Sequence, residues 1–200
     1  MTKNFLMIFL LIFISGCSVT QPRSEKVIVN QSKNTIIEQK IFLNNIKKWS
    51  TSSKIAIITE KEKQSLYLNW SINLYNNEQK MIFSHPLKGK LATIITNKDT
   101  AVLKTTNNKY TEKNLRKLIN RLLNIDIPAF LLKDISKGYP LKVFKNKKYN
   151  KNGYLISSEY LENDVKWNLE WFYEDKKLPT FILLKNNDIT LKISINKWTF

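Results

Sequence analysis

Two periodicities organise the chain. Between residues 66 and 74, Leu66, Leu68, Trp70, Ile72 and Leu74 alternate with Tyr67, Asn69, Ser71 and Asn73. That is the two-residue repeat of a strand with one buried face. The repeat returns in Val165, Trp167, Leu169 and Trp171, and again in Ile189, Leu191, Ile193 and Ile195 leading to Trp198. Shorter stretches of strand character surround Ile55 and Ile57 and occupy 80–84, 90–96, 101–105, 141–144, 154–161 and Phe181 to Leu184. Asn- and Lys-rich turns separate strands 80–84, 90–96 and 101–105, which predicts an antiparallel meander there. The other period is helical. Leu115, Leu118, Ile119, Leu122 and Leu123 fall on one face of a helix that Thr111 is placed to cap. Thr35 and Glu38 form a capping box ahead of Ile36, Ile37, Ile41, Phe42, Leu43 and Ile46, a helix that Trp49 closes. Pro128 suits the first turn of a third, shorter helix running to about Ile135 and ending near Gly138.

About ten strands and three helices with no βαβ rhythm predict a mainly β, α+β body built on one curved antiparallel sheet. A sheet of that width curls, and its inner face needs cover. Two outcomes stay open: a helical lid that leaves an apolar pocket, or helices that fill the concavity. Leu68, Trp70, Trp167 and Trp171 lie on the alternating strands and are candidates for cavity wall or core, which the pattern does not separate.

The N-terminus carries a different signal. Lys3 precedes an unbroken apolar run from Phe5 to Ile14, half the length of a membrane-spanning helix and right for a signal peptide. Ile14-Ser15-Gly16-Cys17 then matches a bacterial lipobox, with the only Cys of the chain at the position that is acylated. The competing expectation is a plain secretory peptide followed by a buried Cys. The lipobox divides the chain into a signal peptide, 1–16, a lipidated N-terminus and polar flexible tether, 17–34, and a single globular domain, 35–200. Ser18 after the Cys matches sorting to the outer membrane, an address read by a receptor.

Composition removes most enzyme chemistry. One Cys excludes a disulfide framework within the chain and a Cys-based zinc site, and one His, His85, excludes a multi-histidine metal centre. His85 reads as a turn residue. Four Gly leave no glycine-rich phosphate loop. Asp126 and Asp134 read as capping or solvated charges, and Glu162 and Asp164 as turn residues; none is spaced with a second acid or a His for catalysis. No catalytic residue, metal or cofactor is expected. The net charge of +17 is carried mainly by Lys spread along the chain, alongside heavy use of Asn and Ile. It reads as background composition, with no nucleic-acid partner. The alternative is a lipid-anchored structural or adhesion protein whose basic surface binds an anionic polymer or lipopolysaccharide.

Several pieces also stand in a familiar order. Lipobox, tether and short helix are followed by Leu68-Asn69-Trp70, then Pro86-Leu87-Lys88-Gly89 and the helix at 111–124. Gly138-Tyr139-Pro140, Trp167-Asn168-Leu169-Glu170-Trp171, Leu178-Pro179 and Leu191 to Trp198 come after. In this the chain resembles the outer-membrane lipoprotein receptor family LolB. The resemblance implies an incomplete antiparallel β-barrel with a lid of about three helices over an apolar cavity. It also implies a receptor, lipid-anchored in the outer membrane and facing the periplasm, that accepts lipoproteins from the soluble carrier LolA through their acyl chains; a monomer is expected. In the family, an exposed leucine after a proline is implicated in delivery to the membrane; the matching residues are Pro86 and Leu87. Lys88 stands between that Leu and Gly89, where the family usually has Gly directly.

Overall fold

The computed structural model describes residues 33–174 and 176–200. The lipobox, Cys17 and nearly all of the expected tether lie outside them. Eleven strands form one antiparallel sheet in the order β6-β5-β4-β3-β2-β1-β11-β10-β9-β8-β7, not closed into a barrel. The strands are β1 Lys48–Thr59, β2 Lys63–Asn73, β3 Glu78–His85, β4 Gly89–Thr96, β5 Ala101–Thr105, β6 Lys109–Glu112, β7 Lys145–Tyr149, β8 Leu155–Glu162, β9 Val165–Phe172, β10 Phe181–Lys185 and β11 Ile189–Thr199. The helices are α1 Lys33–Asn45, α2 Leu115–Leu123 and α3 Leu132–Lys137, the last entered through a 3-10 turn at Ala129–Leu131.

The order is two meanders joined through β1 and β11, whose long pairing from Ser50↔Thr199 to Thr59↔Ile189 lies at the middle of the sheet. Helices α2 and α3 come from the connection between the two outer strands β6 and β7 and lie over one face of the sheet, while on the other face Ala56, Phe172, Phe181 and Leu183 form a small buried cluster of their own. Alternation decides which face is covered. On β2, Leu66, Leu68, Trp70 and Ile72 are buried, and Tyr67, Asn69 and Ser71 are exposed. One cluster containing Trp49, Leu68, Trp70, Ile94, Leu118, Ile119, Ile135, Trp167, Trp171 and Leu184 forms the core between sheet and helices.

Several expectations are corrected. Trp49 does not close a helix; α1 ends at Asn45, and Trp49 is a buried inward residue of β1. The strand around Ile55 and Ile57 is part of the 12-residue β1, because Thr51 and Ser53 occupy inward positions and break the apolar count. Asn114, not Thr111, caps α2: its side chain accepts from the Arg116 amide at 2.8 Å, and Thr111 belongs to β6. The segment 141–144 is a turn, and the strand begins at Lys145. Helix α1 starts at Lys33, inside the expected tether. Within it only Gln39 and Leu43 are buried; Leu43, with Phe42 and the following Ile46, packs on the core, while Ile37 and Ile41 are exposed, so the apolar face that meets the core is narrower than expected.

Candidate functional site

The covered face encloses a narrow cavity of about 40 Å³. Its floor is the central strands: Thr51, Ser53 and Ile55 of β1, Leu68 and Trp70 of β2, Met81 and Phe83 of β3, and Leu191, Ile193 and Ile195 of β11. Its roof is Ile119 and Leu123 of α2, Ile125 and Ile127 of the following segment, and Leu132 and Ser136 of α3. The α2 contribution follows from its apolar stripe. The hydroxyls of Thr51, Ser53 and Ser136 are the polar groups of an otherwise hydrocarbon lining, and Ser136 Oγ donates to the Lys133 carbonyl at 2.9 Å. A water takes about 10–15 Å³ of such a space, so the void has room for about three.

Leu68 and Trp70 therefore line the cavity. The Trp70 indole N–H donates to Gln79 Oε1 at 3.1 Å, which holds the ring against β3. Trp167 and Trp171 sit elsewhere. They are buried on β9, where the sheet is filled by the chain after α3. Trp171 donates its indole N–H to the Ile135 carbonyl at 2.7 Å and packs against Phe144 at 6.0 Å between ring centroids. They are core residues, because the cavity opens over β1, β2, β3 and β11 and not over β9.

The roof is tied down at one end. Arg116 in the first turn of α2 pairs through Nε and Nη2 with both oxygens of Asp126, the Nη2 contact at 2.6 Å, and through Nη1 with Glu162 Oε2 at 2.9 Å. The hydrogen bond from Arg116 holds the Asp126 carboxyl below the usual carboxylate range. Glu162 ends β8, so Arg116 joins the α2 side of the lid to the far side of the sheet. The sequence reading missed this link, since residues 116, 126 and 162 share no spacing. It also missed Lys137, a nearly fully buried ammonium whose Nζ donates to the Leu43 carbonyl at 3.3 Å and lies 4.8 Å from the Trp49 ring centroid. Burial pushes Lys137 below its ordinary pKa, with Asp134 pulling the other way.

The Pro86-Leu87 turn joins β3 to β4 at the end of the sheet where β2 begins. Leu87 is four residues past Phe83 of the cavity floor, beyond the end of β3 at His85. It is the most exposed large apolar side chain among the described residues, at 91 %. The imidazole of His85 stands behind it: Nδ1 accepts from the Leu87 amide at 3.1 Å and from the Lys88 amide at 3.4 Å. Gly89 at φ +69° closes the turn in the left-handed region. Among the described residues no group of His, Cys, Asp and Glu is placed to hold a metal, and no helix is long and apolar enough to cross a membrane.

An open antiparallel sheet with helices over an apolar cavity is the LolA-like fold. The chain overlays on a LolA superfamily protein from Nitrosomonas europaea with a TM-score of 0.54 at 6 % identity, covering 84 % of this chain and 92 % of that one. The family described as outer membrane lipoprotein LolB matches residues 47–198. An outer-membrane lipoprotein LolB from Psychromonas ingrahamii is 30 % identical over 78 % of each chain. Another from Aeromonas salmonicida is 28 % identical over 94 % of this chain and 92 % of its own. The chain belongs to the LolB family.

Proposed function

We propose that the protein is a lipoprotein-sorting receptor of the outer membrane. It is anchored by acylation of Cys17 after removal of residues 1–16, and residues 35–200 face the periplasm. It accepts lipoproteins from a LolA-like carrier and passes them to the membrane as a monomer, by non-covalent binding of acyl chains. The observation that carries this is the almost wholly apolar cavity beneath the lid of a LolB-family fold. Each methylene moved from water into such a lining gains about 0.8 kcal/mol. A lipoprotein with several acyl chains free in water is therefore strongly disfavoured, and transfer must be direct. Affinity rising from carrier to receptor to bilayer drives it without nucleotide.

Pro86 and Leu87 are the delivery element in this scheme. Leu87 stands apart from the cavity and contributes nothing to the core, so it is free to enter a bilayer. The test is two assays on the chain with Cys17 replaced by Ala. One follows transfer of an acylated lipoprotein from its carrier to the protein; the other follows transfer from the protein to liposomes. Leu87→Glu leaves stability within about 0.5 kcal/mol and uptake unchanged, and it slows delivery, because a carboxylate resists the apolar phase. Absence of any transfer from the carrier to the parent protein overturns the receptor role. A joint fall of uptake and delivery in Leu87→Glu removes the delivery role from the turn.

A second reading has one observation behind it. The outer face carries a groove lined by Ser50, Ser52, Asn69, Ser71, Lys80 and Lys197, suited to an anionic polymer or lipopolysaccharide. Loss of lipopolysaccharide binding in Lys80→Glu with Lys197→Glu, with lipoprotein transfer absent in the parent, is the result that favours it.

A further inference from the structure

We infer that His85 is a positioning residue that holds Leu87 outward, acting as the acceptor that Asn supplies in four other turns of this sheet. This rests on the delivery role proposed for Leu87. In four other turns an Asn side chain accepts from the amide two residues on. Asn73 does so from Tyr75 at 3.1 Å, Asn97 from Asp99 at 3.1 Å, Asn150 from Asn152 at 3.0 Å and Asn186 from Asp188 at 2.9 Å. Two further turns use Thr instead: Thr59 accepts from the Glu62 amide and Thr105 from the Asn108 amide. In the β3–β4 turn that position is taken by the one His of the chain, and its Nδ1 accepts from Leu87 and Lys88. Nδ1 is as many bonds from the backbone as Asn Oδ1, so the imidazole closes the same ring.

The turn has a particular need for this bond. An isolated Leu in a mobile loop gains by folding back onto apolar surface. Here Pro86 fixes φ on one side of Leu87 and Gly89 closes the other. The His85 acceptor ties down the amides of Leu87 and Lys88, which leaves the side chain pointing away from the sheet at 91 % exposure. His85 thereby acts on delivery through the backbone, with no contact to cargo required.

Full-length chains carrying His85→Ala, His85→Asn or Leu87→Glu are compared with the parent in three measurements. These are hydrogen exchange over residues 83–91, transfer of an acylated lipoprotein from carrier to protein, and transfer onward to liposomes. His85→Ala is expected to speed exchange at the turn and slow delivery about 3- to 10-fold, the equivalent of one ordinary hydrogen bond, with uptake and Tm unchanged. His85→Asn is expected to restore both exchange and delivery. Unchanged exchange and delivery in His85→Ala overturn the inference; so does a His85→Asn chain as defective as His85→Ala, or a parallel loss of uptake and Tm. Leu87→Glu separates the two levels. If it delivers normally, the delivery role of the turn fails, whatever exchange shows about His85. If it is defective and His85→Ala is not, only the role of His85 fails.

Discussion

Lys137 shows how one side chain ties structure to pH. Its ammonium is buried against Trp49 and caps the C-terminal carbonyls of α1 through Leu43. Burial lowers its pKa below the ordinary 10.5. In the window between the lowered folded value and the unfolded one, the unfolded chain binds more protons. Stability from this group therefore rises with pH across that window and is least below it. Denaturation midpoints measured from about pH 7 to about pH 10 are expected to climb more in the parent than in Lys137→Met; equal slopes show that the group is solvated in the folded state. Gly153 makes a second point at this scale. It sits at φ +76°, and a Cβ there would meet the Thr35 backbone at 2.6 Å. Gly153→Ala is expected to cost about 1–3 kcal/mol from the backbone conformation and more from displacing α1, read as a lower Tm with faster exchange in residues 33–45. Neither residue was legible in the sequence. A Lys in a basic chain and a Gly in a turn look ordinary until the fold brings residues far apart in the chain together.

At the level of elements, legibility followed burial. Strands with one wet and one dry face, such as β2 and β9, show their alternation plainly. The two edge strands do not: β6 reads Lys-Tyr-Thr-Glu and β7 Lys-Asn-Lys-Lys-Tyr. Charged edges deter pairing with another chain, and that need erases the apolar repeat. β1 was half-visible because its inward Thr51 and Ser53 line the cavity. Helix α2 was legible by its stripe, but its tie to the sheet was not. That tie carries a prediction. Arg116→Ala breaks the bridge from α2 to Glu162 and leaves a carboxylate of 16 % side-chain exposure uncompensated. Loss of about 1–3 kcal/mol is expected, measured by chemical denaturation. Asp126, more than half exposed, contributes little by comparison. Asp126→Asn should therefore be milder, and equal losses in the two variants would mean that the Glu162 arm is not the stronger one.

For the molecule as a whole, the size of the cavity sets the mechanism. A space of about 40 Å³ is small beside an acyl chain of many carbons, so under the proposed receptor role α2 and α3 are expected to move off the central strands. The sheet is an 11-stranded hydrogen-bonded unit, whereas the lid is two short helices held by apolar contacts, the Arg116 bridge and two hydrogen bonds on α3, from Trp171 to Ile135 and from Lys137 to Leu43. The lid is therefore expected to be the part that yields. Opening that precedes binding gives an uptake rate that rises with ligand concentration and then levels off at the opening rate. Stopped-flow mixing with a fluorescent fatty acyl probe is expected to show that plateau, and Arg116→Ala is expected to raise it without changing the sheet. At equilibrium, ligand at 100 times its Kd adds about 2.7 kcal/mol to stability, so the melting temperature rises with probe concentration. A rate that stays linear in probe concentration and is indifferent to Arg116→Ala would mean that the cavity fills by side-chain adjustment alone and that the helices do not gate it.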